Sequence, residues 1–266
     1  MLPQNNDTPL LSIITVCRND AARLKKTIDS LRGFYDDLRF EHIVVDGEST
    51  GETDALVRPL LHKKNFSFYS GQDSGIYDAM NRGVVYSRAP LLLFMNCGDT
   101  MIATPSELSA FLCRLVTLDG IVDLDIACFA VQEIGARGAR TAVPTRPTQN
   151  KMPVSHQGML FARRFVQLNK YQVSYKIAGD YDLYLRAGRV DMIFDMFSTP
   201  LVRVEVDGVA STNPLKAYGE YLTIARNRLR GRARIVALLL IGIRAFGVIL
   251  VKTLLPKRWV ELLRGV

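Results

Sequence analysis

Histidine and tryptophan are scarce in this sequence, with three of the first and one of the second in 266 residues. Its four cysteines, Cys17, Cys97, Cys113 and Cys128, form no CxxC pair. These shortages argue against a structural zinc site and against a disulfide framework. The cysteines read as small core residues in a reducing compartment, which places the catalytic part in the cytosol. A basic stretch followed by an apolar one is missing from MLPQNNDTPL, so no secretory signal is evident. The turn after the first strand lacks GxGxxG, and GxxxxGK[ST] occurs nowhere. A dinucleotide-binding fold and a P-loop NTPase are disfavoured accordingly. No internal repeat is visible.

What is present suits an ordered globular chain, 48% hydrophobic and 23% charged. Its length allows one good core, or a main domain with an appendage. The net charge of +8 suggests a nucleic-acid binder until its position is read. Residues 226–266 hold ten basic side chains and one acid, which leaves residues 1–225 at about −1. The charge belongs to the tail.

Residues 10–16 (LLSIITV) form an apolar, β-branched run of the kind found in a buried parallel strand. Asn19 and Asp20 offer helix caps, and Leu24, Ile28 and Leu31 mark one helix face. The same alternation predicts strands at 42–45, 66–69 and 91–95, with helices near 53–61 and after Gly75. Further on, a helix at 106–118, a strand at 126–134, a mobile loop at 135–153, a helix at 180–189 and strands at 192–197 and 201–206 are expected. Four β/α alternations in a row predict an α/β fold with a mostly parallel, Rossmann-like sheet flanked by helices.

Ligands of such sheets bind beyond the carboxyl ends of the strands. Three strand ends run into loops bearing Asp46, Asp73 and Asp99. Each acid has a local alternative. Asp46 can cap its own turn, Asp73 can cap the next helix, and Asp99 can close a strand-end turn.

The series SIITVCRND, IVVDGEST, QDSGIYDAMNRG, LLFMNCGD, SHQGMLF and AGDYDLYLR resembles family 2 glycosyltransferases of the GT-A fold. The nearest type is the bacterial exopolysaccharide enzymes, including those of colanic acid assembly. The ordered motifs run from about Ser12 to Arg186, and Gly208-Val-Ala-Ser211 resembles a later segment. The resemblance implies a catalytic domain over 1–212 and an inverting transfer from a nucleotide-diphosphate sugar to an acceptor hydroxyl. UDP is the favoured nucleotide and GDP the other possibility. Donor contacts are implied for Thr15, Arg18, Asn19, Asp46, Asp73, Asn81, His156 and Arg186. Asp99 is implied as the protein ligand of Mg2+ or Mn2+, metals that suit carboxylate and phosphate oxygens. Asn96 and Cys97 stand where an acidic version of the motif would put carboxylates. Asp180 matches the catalytic base, with Gly179 in place of the usual Glu. A free Asp, near pKa 3.9, is a weak base, so partial burial would help it. Asp182 lies about 200° further around the helix and is expected to cap or brace it. Arg186 pairs with an acid or with the diphosphate.

Residues 235–255 are apolar but interrupted by Arg244 and Lys252. On one continuous helix, Arg226, Arg230, Arg234, Arg244 and Lys252 would share an arc of about 80°. That predicts a segment, 213–266, that lies on a membrane surface through residues 226–258, with no nucleic-acid role. A spanning helix and a core helix remain alternatives. The enzyme would then meet a lipid-linked saccharide acceptor at the cytoplasmic face of the inner membrane. Two other functions compete: a metal-dependent nucleotidyltransferase, which would need a basic glycine-rich loop after the first strand, and a non-catalytic membrane or nucleic-acid adaptor led by the arginine tail.

Overall fold

The structure, a computed structural model, describes residues 8–113, 115, 124–135, 138–187, 192–194, 199–205 and 213–254. Gly208-Val-Ala-Ser211 and the ends of several expected elements fall outside these residues.

The chain opens with β1 (Leu11–Cys17), α1 (Ala21–Ser30), β2 (Phe40–Asp46), α2 (Glu52–Val57), β3 (Phe66–Ser70), α3 (Ile76–Tyr86) and β4 (Leu91–Asn96). Asp20 caps α1 by accepting from the Arg23 amide. After β5 (Thr100–Met101) and α4 (Pro105–Leu112) come β6 (Ile126–Cys128), β7 (Val131–Gly135), β8 (Gly138–Ala142) and β9 (Met159–Ala162). Then follow α5 (Arg163–Asn169), α6 (Gly179–Arg186), β10 (Met192–Phe194) and β11 (Val202–Glu205). Two helices close the described chain, α7 (Pro214–Arg228) and α8 (Gly231–Leu254).

The main sheet runs β10-β6-β9-β4-β1-β2-β3. β1 pairs in parallel with both β2 and β4, and only β9 is antiparallel to its neighbours. All residues of β1 and β2 are buried, as a sheet covered on both faces requires. α3 lies against β1 through Gly83, where a Cβ would come 2.4 Å from Ile14 Cγ2. The order reverses at β1, so the crevice between the ends of β1 and β4 is the binding position that the topology favours.

A smaller sheet, β5-β11-β7-β8, flanks the first. It corrects two expectations. The single strand over 126–134 is two strands in different sheets, joined at Phe129-Ala130. That joint is satisfied from both sides: the Phe129 amide donates to Gly158 O and the Ala130 carbonyl accepts from the Leu201 amide. Its continuous apolar run conceals the switch. The loop expected over 135–153 begins as β8, which pairs antiparallel with β7 from Val131↔Ala142 to Gly135↔Gly138.

The tail also departs from one continuous helix. It breaks at Leu229, which is extended, and at Gly231, whose φ is +54. The arc drawn through Arg226, Arg230 and the later basic residues therefore does not exist. α7 packs on α6 rather than standing apart. The Glu220 carboxylate accepts from the amides of Lys176, Ile177 and Ala178 just before α6, and Arg228 reaches Asp182 within it.

Candidate active site

At the β1/β4 crevice lies a cavity of about 560 Å³, lined among others by Cys17, Arg18, Arg23, Asp73, Asn96 and Asp99. It forms because β1, β2 and β4 end in register, with Val16 opposite Asn96 and Cys17 opposite Asp46.

Asn96-Cys97-Gly98-Asp99 makes the floor. Gly98 has φ +98, a left-handed conformation that suits glycine, and any Cβ there would meet the Arg23 guanidinium at 2.6 Å. Asp99 is 2% exposed, and its Oδ2 accepts from the Asn96 amide at 2.7 Å and from Gln157 Nε2 at 3.1 Å. Burial pushes the Asp99 carboxyl up to about 6, against these donors and the nearby His156 and Arg23. The native protein thus holds this proton to higher pH than an unfolded chain, whose carboxyl titrates near 3.8. Stability is lost as pH rises from about 4 to about 6, and the deficit then stays constant. Asp99→Asn keeps an acceptor for both donors without the buried charge. Its melting temperature should exceed that of wild type at pH 8 by the equivalent of about 1–3 kcal/mol, and the gap should close near pH 4. A variant less stable than wild type at pH 8 would contradict this account of burial.

His156 joins the floor to the first turn of α6. Its Nε2 lies 3.4 Å from Asn96 Nδ2, and its Nδ1 lies 3.3 Å from Asp180 Oδ2. With the Asn96 amide donating, Nδ1 carries the proton and donates it to Asp180. Asp180 sits in the first turn of α6, with its side chain only 13% exposed. It does not cap the helix; Ala178 holds the cap position, and Glu220 supplies the acceptors there. Gly179 is glycine for a steric reason. A Cβ would press on the Tyr77 ring at 2.7–2.8 Å, so the Glu of the family motif has no room here.

Asp46 caps its own turn. Oδ2 caps the turn by accepting from the Ser49 amide and Ser70 Oγ, while Oδ1 is buried with no partner. An orphaned carboxylate oxygen is expensive to bury, which makes it a fitting acceptor for a ligand's donor. Asp73 Oδ1 accepts from the Gly75 amide, and its Oδ2 crowds Gly47 so closely that a Cβ there would sit 2.7 Å away. Arg18 is exposed at the rim, and Asn19 ties the two loops together through Ser49 and Thr50.

Three expected donor contacts are directed elsewhere. Thr15 is fully buried and its hydroxyl pairs with His42, a neutral core histidine that burial lowers to about 3. Asn81 makes two hydrogen bonds to the backbone of Tyr171. Arg186 pairs with Asp182 at 3.0 Å and donates to the carbonyls of Asn169 and Lys170. Short-range motif position could not separate these from true cavity residues. Conversely, Gln157 and Arg23 were not assigned from sequence. Gln157 adjoins His156 in the same motif, whereas nothing local marks Arg23.

For a metal, the donor set fits only in part. Among the described residues no three His, Cys, Asp or Glu side chains gather to hold an ion. Asp99 and the buried, partnerless Oδ1 of Asn96 are hard oxygen donors on one turn. They suit Mg2+ or Mn2+ completed by substrate phosphate oxygens, not an ion held by the protein alone.

Residues 12–104 match the model of glycosyl transferase family 2. Over those residues this chain is similar to that family. It is 28% identical over 188 residues to an uncharacterised glycosyltransferase of Mycobacterium tuberculosis, covering 68% of this chain and 70% of that one. A PGL/p-HBAD biosynthesis glycosyltransferase of Mycobacterium bovis is 28% identical over 201 residues, covering 67% and 69%. Among solved structures, Staphylococcus aureus TarS 1–349 in complex with UDP superposes with a TM-score of 0.66 at 16% identity, covering 93% of this chain and 76% of that one. A Pyrobaculum calidifontis mannosyltransferase in complex with GDP-Man and Mn2+ gives 0.60 at 11% identity, covering 96% and 79%. The fold is GT-A, and the enzyme is a nucleotide-sugar glycosyltransferase.

Proposed function

We propose that this glycosyltransferase inverts the donor's anomeric centre as it moves a sugar from a nucleoside diphosphate to a hydroxyl of a lipid-linked saccharide, in cell-surface polysaccharide synthesis at the cytoplasmic face of the membrane. The observation that carries the chemistry is the connected path Asn96–His156–Asp180 beside the Asp99 cavity. It links a mostly buried carboxylate to the floor where a diphosphate would rest. UDP is the favoured nucleotide, and GDP the alternative.

Asp46 and Asp73, at the ends of β2 and β3, receive the nucleoside through hydrogen bonds to its hydroxyl and N–H groups. Arg18 and Arg23 face the diphosphate. A divalent cation held by Asp99 and Asn96 Oδ1 would neutralise charge on the departing nucleoside diphosphate. Asp180 accepts the acceptor's hydroxyl proton while that oxygen bonds to the anomeric carbon on the face opposite the leaving group. His156 holds the Asp180 carboxylate in place through its Nδ1–H. One mycobacterial relative is a PGL/p-HBAD biosynthesis glycosyltransferase, which supports a biosynthetic role here.

Calorimetry of UDP and GDP binding, with and without Mn2+, tests the donor side on wild type and Asp99→Asn. The expected result is metal-dependent binding of one nucleotide that weakens at least about tenfold in the variant. A folded wild-type protein that binds neither nucleotide would overturn the reading.

A further inference from the structure

Helix α8 shows a feature that catalysis does not use. Ile235, Val236, Leu239, Ile243 and Phe246 are 66%, 51%, 62%, 59% and 65% exposed. At about 100° per residue they fall within one arc of about 100°, a stripe roughly 16 Å long. The opposite side of the helix is the packed one. There Ala237 and Ile241 are buried with Ala225 and Leu229, against Leu185, Tyr218, Tyr221 and Leu222. So α8 is seated on the enzyme by one face and offers a second apolar face to its surroundings. Five large apolar side chains in one contiguous row are a binding surface rather than scattered exposure.

The charges around the stripe select its partner. Residues 231–254 contain no acid. Arg232 stands on the stripe's own axis at its amino end. Arg226 and Arg230 are exposed just before the helix. A second copy of this chain would bring arginines against arginines. An anionic lipid surface answers both features, with acyl chains for the stripe and headgroups for the guanidinium groups. Among the described residues no helix is long and apolar enough to cross a membrane, which leaves the in-plane orientation.

From this arrangement we infer that the Ile235–Phe246 stripe of α8 docks the enzyme on an anionic bilayer. The seat of α8 then orients the active site. Arg244 Nη1 donates to Asn150 O, and the neighbouring carbonyls of Thr148 and Gln149 accept from Tyr184 and Tyr181 of α6. Hydrogen bonds through residues 148–150 therefore connect the docked helix to the element whose first turn carries Asp180. If the glycosyl-transfer reading holds, this places the base toward an acceptor presented at the lipid surface; the docking itself does not depend on that reading.

Sedimentation of the full chain with vesicles tests it, comparing equal parts phosphatidylglycerol and phosphatidylcholine with phosphatidylcholine alone. Wild type is expected to pellet with the anionic vesicles, less so at high salt, and a Leu239→Glu/Phe246→Glu variant to bind at least about tenfold more weakly. Both positions are exposed, so circular dichroism and nucleotide binding should be unchanged in the variant. The inference fails if wild type stays in the supernatant, if the variant binds equally well, or if ultracentrifugation shows a wild-type dimer that the variant dissociates. Loss of nucleotide binding by wild type would instead strike the proposed function and leave the docking result standing.

Discussion

Asp180→Asn is expected to reduce kcat by about 10²- to 10⁴-fold while leaving nucleotide affinity within roughly threefold of wild type. Asp180 Oδ1 accepts from the Tyr181 amide at 2.8 Å, and Oδ2 faces His156 Nδ1. An amide side chain can still offer an oxygen to either donor, so the first turn of α6 should keep its place. What it cannot do is take a proton from the acceptor hydroxyl. The acceptor oxygen would then have to attack while still protonated, and the barrier rises by the worth of a general base. Steady-state kinetics with separate kcat and KM, beside calorimetric nucleotide binding, distinguish this from misfolding. A variant that keeps more than about a third of wild-type kcat would remove Asp180 from the base role. His156→Ala should have a smaller effect in the same direction, because it loosens the carboxylate without deleting it.

The largest stability loss outside the cavity is expected at Asp182. This carboxylate is completely buried, with Arg228 Nε at 2.7 Å and Arg186 Nη2 at 3.0 Å. Asp182→Ala would leave two guanidinium groups facing each other with no carboxylate between them. Breaking a buried ion pair from one side typically costs about 3–5 kcal/mol. The lower end applies here, since the Arg228 side chain is 34% exposed and water can reach it. The midpoint of urea denaturation should fall accordingly, and activity should fall with it, because α6 carries Asp180 two residues earlier. A change below about 1 kcal/mol would mean that the triad contributes little. Replacing all three members with apolar residues should recover much of the loss, because no uncompensated charge then remains buried.

The Asp182 triad also shows where a reading of local sequence stops. Helical spacing alone separated Asp180 from Asp182 and gave the second a bracing role, which the structure bears out. Its partner Arg228, however, lies 46 residues away on a helix expected to belong to a membrane tail. The same division runs through the active site. The strand-end acids Asp46, Asp73 and Asp99 were legible because an apolar run followed by an acidic, glycine-bearing turn is a local pattern. The path from Asn96 to His156 to Asp180 was not, since it spans contacts 60 and 24 residues apart. Thr15, Asn81 and Arg186 lie within the same motifs as true cavity residues, and only packing decides which way each side chain turns.

By itself, the sequence determined the four β/α alternations, the parallel core, the glycine-marked turns at the strand ends and the excess of positive charge beyond residue 225. Each depends on periodicity or composition within a few residues, where backbone preference and burial pattern act directly. Only the tertiary structure decided that the 126–134 run serves two sheets, that α7 braces α6, that the tail breaks at Leu229, and that Gly179 excludes a second acid. Those outcomes are set by hydrogen-bond partners and steric neighbours far away in the chain, and no local segment carries them.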